Sequence, residues 1–227
     1  NVLTLDPNAR AFLRWELMEP VPAPEAASYS TDPRIGICKS AVDRLRGTSL
    51  ERMHWVEAED PEECYWALLN GFGILGGSAS VIMPRFNATK SVETMRLALT
   101  EYRQIIKILL WKNPLPQGGH LVLKSPQFSG YLQVLTEVLP ECRLVLTHRD
   151  PYRALVSVSN LQAHIHQPFL KCANTEEYHR TLLDVLIPPA GSRLANMCEF
   201  DQSGVPVANI AYPELVTDPA AVVESIY

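Results

Sequence analysis

The sequence has no excess of positive charge, and this argues against one class of partner. It contains 20 Lys and Arg residues against 25 Asp and Glu residues, which gives a formal net charge of -5 at neutral pH. A surface that binds DNA or RNA needs clustered cations, so a nucleic-acid role has no electrostatic basis here. An anionic ligand has to be held by a few local cations.

Long apolar runs are also missing. No stretch reaches the roughly 18 consecutive apolar residues of a membrane-spanning helix, and we therefore predict no membrane span in this segment. Hydrophobic residues still make up 47% of the 227 residues, and charged residues make up 20%. This balance is typical of a globular chain that is long enough to bury a core.

Cysteine is scarce and scattered. The five cysteines form no CxxC pair and no Cys/His cluster with the spacing of a metal site. Such a set indicates reduced thiols and predicts a cytoplasmic protein rather than a disulfide framework. The same absence of ligand clusters predicts no metal cofactor.

The second half of the chain alternates short apolar runs with amphipathic segments. Leu121–Leu123 and Arg143–Thr147 have the apolar character of strands that are covered on both faces, and each is followed by residues at helical spacing. A further strand is predicted over Val207–Tyr212. The order strand, helix, strand predicts two neighbouring parallel strands with a right-handed crossover, and hence the α/β class.

Helices are predicted from periodicity and from their start signals. Apolar residues recur at helical spacing from about Val92 to Trp111 and predict one long amphipathic helix. Asp60 followed by Pro61 is a cap-then-proline start, and Asp150 and Asp218 begin the same pattern later in the chain. The residues expected on the buried face of the long helix are Met95, Leu99, Tyr102, Ile106 and Leu109.

Polar residues stand where the predicted strands end. Lys124 follows the first strand, Arg149 follows the second, and Tyr212 ends the third. Ligands bind beyond the carboxyl ends of strands in open parallel sheets, so the two cations, beside the helix that Asp150 caps, predict an anion site. Ser157 lies two helical turns past Asp150 and can add a hydroxyl near Arg149. Each cation alone is also compatible with a solvated loop charge, whereas a shared ligand explains both.

Four motifs resemble those of the sulfotransferase family that depends on 3′-phosphoadenosine 5′-phosphosulfate (PAPS), and within it the bacterial-type branch. The resemblance implies a P-loop-type three-layer α/β/α fold with a parallel sheet. The family's phosphate loop and C-terminal basic loop are not found, so we expect residues 1–227 to be a single domain truncated at both termini. The matching segments are Leu123–Pro126, His148–Pro151 with Ser157 eight residues after Arg149, Ala211–Pro219, and Arg14–Leu17 near the start.

The resemblance implies transfer of a sulfuryl group from PAPS to a hydroxyl or amine of a small-molecule or glycan acceptor. Arg149 and Ser157 match the residues that hold the 3′-phosphate of PAPS, and Tyr212 matches a tyrosine near the adenosine. Lys124 matches the lysine that faces the sulfuryl group. Without the phosphate loop, the isolated fragment is expected to be inactive.

The catalytic base is a separate question. The cytosolic branch of the family places a catalytic His two residues after its Lys, but here that position is Pro126. Other branches use a Glu soon after the phosphate-loop helix, and Glu16 stands in that place. Glu16 can instead be a structural acid that pairs with Arg14 or caps the Pro-rich loop, and His54 is the second candidate for the base.

Two alternatives share the P-loop-type fold class. A phosphotransferase needs acidic Mg²⁺ ligands at a strand end, and Asp150, the residue available there, is interpreted as a helix cap. A non-catalytic relative keeps the fold but not the chemistry. The acceptor is expected to be chosen by two loops, Pro20–Pro33 and Gly71–Asn87.

Overall fold

The computed structural model describes residues 2–70, 91–167, 170–171, 175–201 and 204–227, and the predicted acceptor loop Gly71–Asn87 lies outside them. The described residues fall into two compact units. The N-terminal unit comprises residues 3–70 and 91–126. The C-terminal unit comprises Val2 and the described residues from Gln127 to Tyr227.

The N-terminal unit contains a parallel pair of short strands, β1 (Ala9–Arg10) and β2 (His120–Leu121). Arg10 pairs with Leu121, and the N–H of Val122 donates to the carbonyl oxygen of Arg10 at 2.9 Å, which extends the ladder towards the predicted strand segment. Short 3₁₀ turns cover Val2–Leu5 and Ala26–Thr31. The helices of this unit are α1 (Arg14–Met18), α2 (Pro33–Asp43), α3 (Ser49–Met53), α4 (Tyr65–Leu69) and α5 (Val92–Trp111).

Helix α5 confirms the prediction from periodicity. Its bounds are Val92 and Trp111, and the hydroxyl of Ser91 caps it by accepting a hydrogen bond from the N–H of Thr94. All five residues expected on its inner face are buried. A capped amphipathic stripe of this length therefore fixes one wall of the core of this unit.

The prediction that a helix starts at Asp60 is wrong, because α4 begins only at Tyr65. Pro61 instead forms an antiparallel bridge with Leu13, and the N–H of Arg14 donates to the carbonyl oxygen of Asp60 at 3.1 Å. Long-range backbone pairing with the start of α1 thus holds this segment extended. Tertiary hydrogen bonds override the local start signal.

The C-terminal unit contains the parallel pair β3 (Leu144–His148) and β4 (Val207–Ala211), with Leu144 opposite Val207 and His148 opposite Ala211. A 3₁₀ turn covers Phe128–Gly130. The helices are α6 (Leu132–Val138), α7 (Pro151–His166), α8 (Glu176–Asp201), α9 (Tyr212–Thr217) and α10 (Pro219–Glu224).

Two of the predicted caps in this unit are confirmed. The carboxylate of Asp150 accepts a hydrogen bond from the N–H of Arg153 at 2.8 Å and begins α7. The carboxylate of Asp218 accepts one from the N–H of Ala221 at 3.1 Å and begins α10. In both helices a proline follows the cap, where its missing N–H costs no hydrogen bond.

The predicted direct pairing of the strand before Lys124 with the strand before Arg149 concerns strands of different units and stays a prediction. In the described part of the chain, β2 pairs with β1 and β3 pairs with β4. Both pairs are parallel, so the predicted α/β class with parallel strands is confirmed. Within the same ranges, no helix has both the length and the apolar character needed to cross a bilayer.

Candidate active site

Lys124 lies beyond the carboxyl end of β2 and is held by the segment that leads into α4. Its ammonium forms an ion pair with the carboxylate of Glu63, and its carbonyl oxygen accepts a hydrogen bond from the N–H of Cys64 at 2.8 Å. These two contacts fix both the backbone and the side chain of Lys124. Glu63 could not be identified as a partner from the sequence, because it lies 61 positions away from Lys124 in the chain.

The pKa of the Lys124 ammonium is subject to two opposing influences. Desolvation by surrounding protein atoms lowers its pKa, and the nearby carboxylate of Glu62 opposes that shift. The side chain is 67% exposed, so solvent screens both influences. The ion pair with Glu63 holds this ammonium at the end of the strand pair.

Glu16 lies in α1, beyond the carboxyl end of β1, and is fully buried at 0% exposure. One carboxylate oxygen, Oε1, accepts a hydrogen bond from Nη2 of Arg10 at 2.8 Å. The other, Oε2, accepts one from the N–H of Leu13 at 2.8 Å. Both oxygens of the proposed base are thus engaged within the protein, and Arg10 is a partner that the sequence analysis did not identify.

The alternative pairing of Glu16 with Arg14 is wrong. The guanidinium of Arg14 forms an ion pair with Glu62, and its Cζ lies 4.7 Å from the ring centroid of Trp66. Both side chains of the Arg14–Glu62 pair are nearly buried. The start of α1 therefore carries two separate ion pairs, one on each of two neighbouring arginines.

A cavity of about 410 Å³ lies next to the Glu16 network. Its lining includes Arg10, Leu13 and Tyr29 but not Glu16. Burial, followed by the charge and hydrogen bond of Glu16, raises the pKa of the Tyr29 phenol above its ordinary value of 10.0. The phenol therefore stays protonated at neutral pH and hydrogen-bonds the carboxylate of Glu16. The remaining lining residues are Thr4, Ala9, Ala11, Pro61, Asn113, Pro114 and Pro116.

His54, the second candidate for the base, follows the last residue of α3. Its N–H donates to the carbonyl oxygen of Leu50 at 2.8 Å, and the residue is exposed. No residue of the strand ends contacts His54 through a hydrogen bond within the described ranges.

The C-terminal unit brings Arg149 and Tyr212 into direct contact. His148 and Ala211 are the last pair in the register of β3 and β4, so Arg149 and Tyr212 follow as the next residue of each strand. The Cζ of Arg149 lies 4.8 Å from the ring centroid of Tyr212, within the range of a cation–π contact. Both residues therefore stand directly after the ends of paired strands, as predicted. The ligand that they bind stays a prediction.

Ser157 is exposed in α7, one turn after Arg153 on the same helix face. Among the described residues, no hydrogen bond joins Ser157 to Arg149. Next to Arg149, the imidazole Nε2 of His148 lies 2.7 Å from Oδ1 of Asn209 on β4. This side-chain bond ties the two strand ends together, and the sequence analysis did not identify Asn209.

The predicted site residues thus divide between the units. Lys124 and Glu16 lie beyond the strand pair of the N-terminal unit, and Arg149, Ser157 and Tyr212 lie at or after the strand pair of the C-terminal unit. In the part of the chain that the structure describes, no group of three or more His, Cys, Asp or Glu residues is placed to hold a metal ion.

Comparison with known proteins identifies the family. The model of the sulfotransferase family matches residues 2–227. The chain belongs to the sulfotransferase family. No curated protein matches the sequence significantly.

Solved sulfotransferase structures share the fold. The sulfotransferase STF9 from Mycobacterium avium superposes with a TM-score of 0.80 at 23% identity, over 100% of this chain and 58% of that one. The sulfotransferase STF1 from Mycobacterium tuberculosis H37Rv gives a TM-score of 0.76 at 18% identity, over 100% and 61% respectively. The chain thus spans about three fifths of the length of either structure. The predicted family and P-loop-type α/β fold are confirmed, whereas the single domain and the roles of the site residues stay predictions.

Proposed function

We propose that the protein transfers a sulfuryl group from PAPS to a hydroxyl or amine of a small-molecule or glycan acceptor. The observation that carries this proposal is the match of the sulfotransferase family model over residues 2–227. PAPS supplies an activated sulfuryl group, and the protein contributes mainly position and charge, as in phosphoryl transfer.

Arg149 and Ser157 are the residues that we propose for the 3′-phosphate. Within the described ranges, no carboxylate pairs with the guanidinium of Arg149, so its donors are available to an anion. The N-terminus of α7 directly follows Arg149 and adds a favourable dipole. The exposed hydroxyl of Ser157 on α7 supplies a further donor.

Lys124 is the residue that we propose for the sulfuryl group. Its charge stabilises negative charge that develops on the transferring group, and the ion pair with Glu63 keeps the ammonium at the strand end. Glu16 is the proposed base for the acceptor proton, held by Arg10 and the N–H of Leu13. His54 is the second candidate.

The proposal is tested with the full-length protein and labelled PAPS against acceptors of several classes, followed by binding calorimetry. Arg149→Ala is expected to weaken adenosine 3′,5′-bisphosphate by roughly 2–4 kcal/mol and to leave adenosine 5′-phosphate unchanged. Arg180→Ala is the matched control, because this exposed arginine pairs with Glu176 one turn away on α8. Equal losses for both nucleotides would remove Arg149 from the 3′-phosphate site. Absence of transfer to every acceptor class would reject the activity.

The phosphotransferase alternative loses its best candidate ligand. The carboxylate of Asp150 accepts the N–H of Arg153 as the cap of α7, so it serves the helix rather than a cation. A non-catalytic relative is distinguished by the transfer assay alone. The predicted cytoplasmic location and the predicted inactivity of residues 1–227 in isolation stay predictions.

A further inference from the structure

The contact between Arg149 and Tyr212 is set by the backbone of the C-terminal unit. Parallel pairing of β3 with β4 places the two residues side by side, one step past the last pair, His148 and Ala211. Neighbouring strands lie only about 4.8 Å apart, so side chains at the same register meet. The bond between His148 and Asn209 fixes that register at the strand ends.

The geometry of the contact leaves the arginine competent for an anion. The Cζ of Arg149 lies over the Tyr212 ring, and a cation–π contact of this kind uses the charge of the guanidinium without requiring its N–H donors, which a phosphate can then accept. A carboxylate partner would occupy those same donors. Among the described residues, the guanidinium contacts the ring and no carboxylate. The contact therefore orients the N–H donors of Arg149 without neutralising its charge.

We infer that Tyr212 is a positioning residue: the cation–π contact of its ring with Arg149 aims the guanidinium at the 3′-phosphate of the nucleotide. This inference rests on the proposed function. It differs from the role that the family resemblance implies for Tyr212, which is a contact with the adenosine. The two roles predict different losses, because an adenosine contact acts on every adenine nucleotide whereas the cation–π contact acts only through Arg149.

The test uses the full-length protein and a series of variants at Tyr212. Calorimetry measures the dissociation constants of adenosine 3′,5′-bisphosphate and adenosine 5′-phosphate, and their ratio reports preference for the 3′-phosphate. Tyr212→Phe is expected to keep the wild-type ratio, since it retains the ring. Tyr212→Leu is expected to reduce the ratio about two- to fivefold, the range of an exposed cation–π contact. Tyr152→Leu, an exposed tyrosine without a cation–π contact in the described residues, serves as the control.

A second experiment combines the variants at Arg149 and Tyr212. With Arg149→Ala in place, Tyr212→Leu is expected to cause no further change in the ratio. Tyr212→Trp offers a stronger ring and is expected to hold or raise the preference, so the series stays decisive if the leucine variant does not fold. Equal weakening of both nucleotides by Tyr212→Leu, or additive losses in the double variant, would overturn the inference and leave the proposed function intact. A wild-type protein with no preference for the 3′-phosphate would instead reject the proposed cofactor.

Discussion

Replacing Glu16 by Gln changes one carboxylate oxygen to an NH₂ group and preserves the size of the side chain. Oε1 of Glu16 accepts from Nη2 of Arg10 and Oε2 accepts from the N–H of Leu13, both at 2.8 Å, and the phenol of Tyr29 also hydrogen-bonds this carboxylate. A glutamine offers one acceptor oxygen, so one of these donors faces an NH₂ group and loses its hydrogen bond. Arg10 also loses the opposite charge.

The burial of the pair sets the magnitude of the effect. The side chain of Glu16 is fully buried, and that of Arg10 is nearly so. Removing one member of a buried pair costs about 3–5 kcal/mol, and a retained hydrogen bond to the guanidinium recovers about 1–2 kcal/mol of that loss. We therefore expect Glu16→Gln to lower the free energy of unfolding by about 1–4 kcal/mol.

The assay is urea unfolding of the full-length protein, followed by circular dichroism, with turnover measured where each variant is folded. Glu59→Gln is the control, because its ion pair with Lys39 is exposed and is expected to contribute less than about 1 kcal/mol. If Glu16 is the base, turnover also falls on the order of 10²–10⁴-fold. A stability loss no larger than that of the control would refute the reasoning from burial. Near-normal turnover would move the base elsewhere, with His54→Ala as the next variant.

Three further predictions concern Lys124 and two buried side chains. Lys124→Ala is expected to lower kcat more than it changes PAPS affinity, because its contact strengthens as charge develops; an affinity loss with normal kcat would make it a binding residue. Leu99→Ala in α5 is expected to cost about 2–5 kcal/mol in urea unfolding, whereas Leu97→Ala, 59% exposed, stays within about 0.5 kcal/mol. Burial raises the pKa of the Cys64 thiol from its ordinary 9.0 to about 11. Its contribution to stability is therefore complete below pH 9 and falls by about 2–3 kcal/mol by pH 11, and Cys64→Ala should remove that part of the pH dependence.

Features with a local cause could be predicted from the sequence. The bounds of α5 follow from apolar residues at helical spacing, and the starts of α7 and α10 follow from an Asp cap before a proline. In each case the residues that make the interaction lie within four positions of each other. The family motifs at Lys124 and Arg149 are local in the same sense.

Features with a distant partner could not be predicted. Asp60 and Pro61 carry the same start signal as Asp150, yet their backbone is drawn into pairing with Leu13 and Arg14, more than 40 positions away in the chain. The pairing of β2 with β1 joins residues more than 100 positions apart. Sequence order alone does not determine such partners, because the spatial order of strands in a sheet need not follow the chain.

The same distinction separates the two cations that the sequence analysis treated alike. Lys124 follows β2 and pairs with the carboxylate of Glu63, whereas Arg149 follows β3 and meets the ring of Tyr212. An anion that approaches Lys124 must displace or share a carboxylate, so much of its attraction is offset in the ground state. An anion that approaches Arg149 meets a guanidinium that no carboxylate of the described residues neutralises. We therefore expect Arg149 to contribute mainly to ground-state affinity and Lys124 mainly to the transition state, where added negative charge outcompetes Glu63.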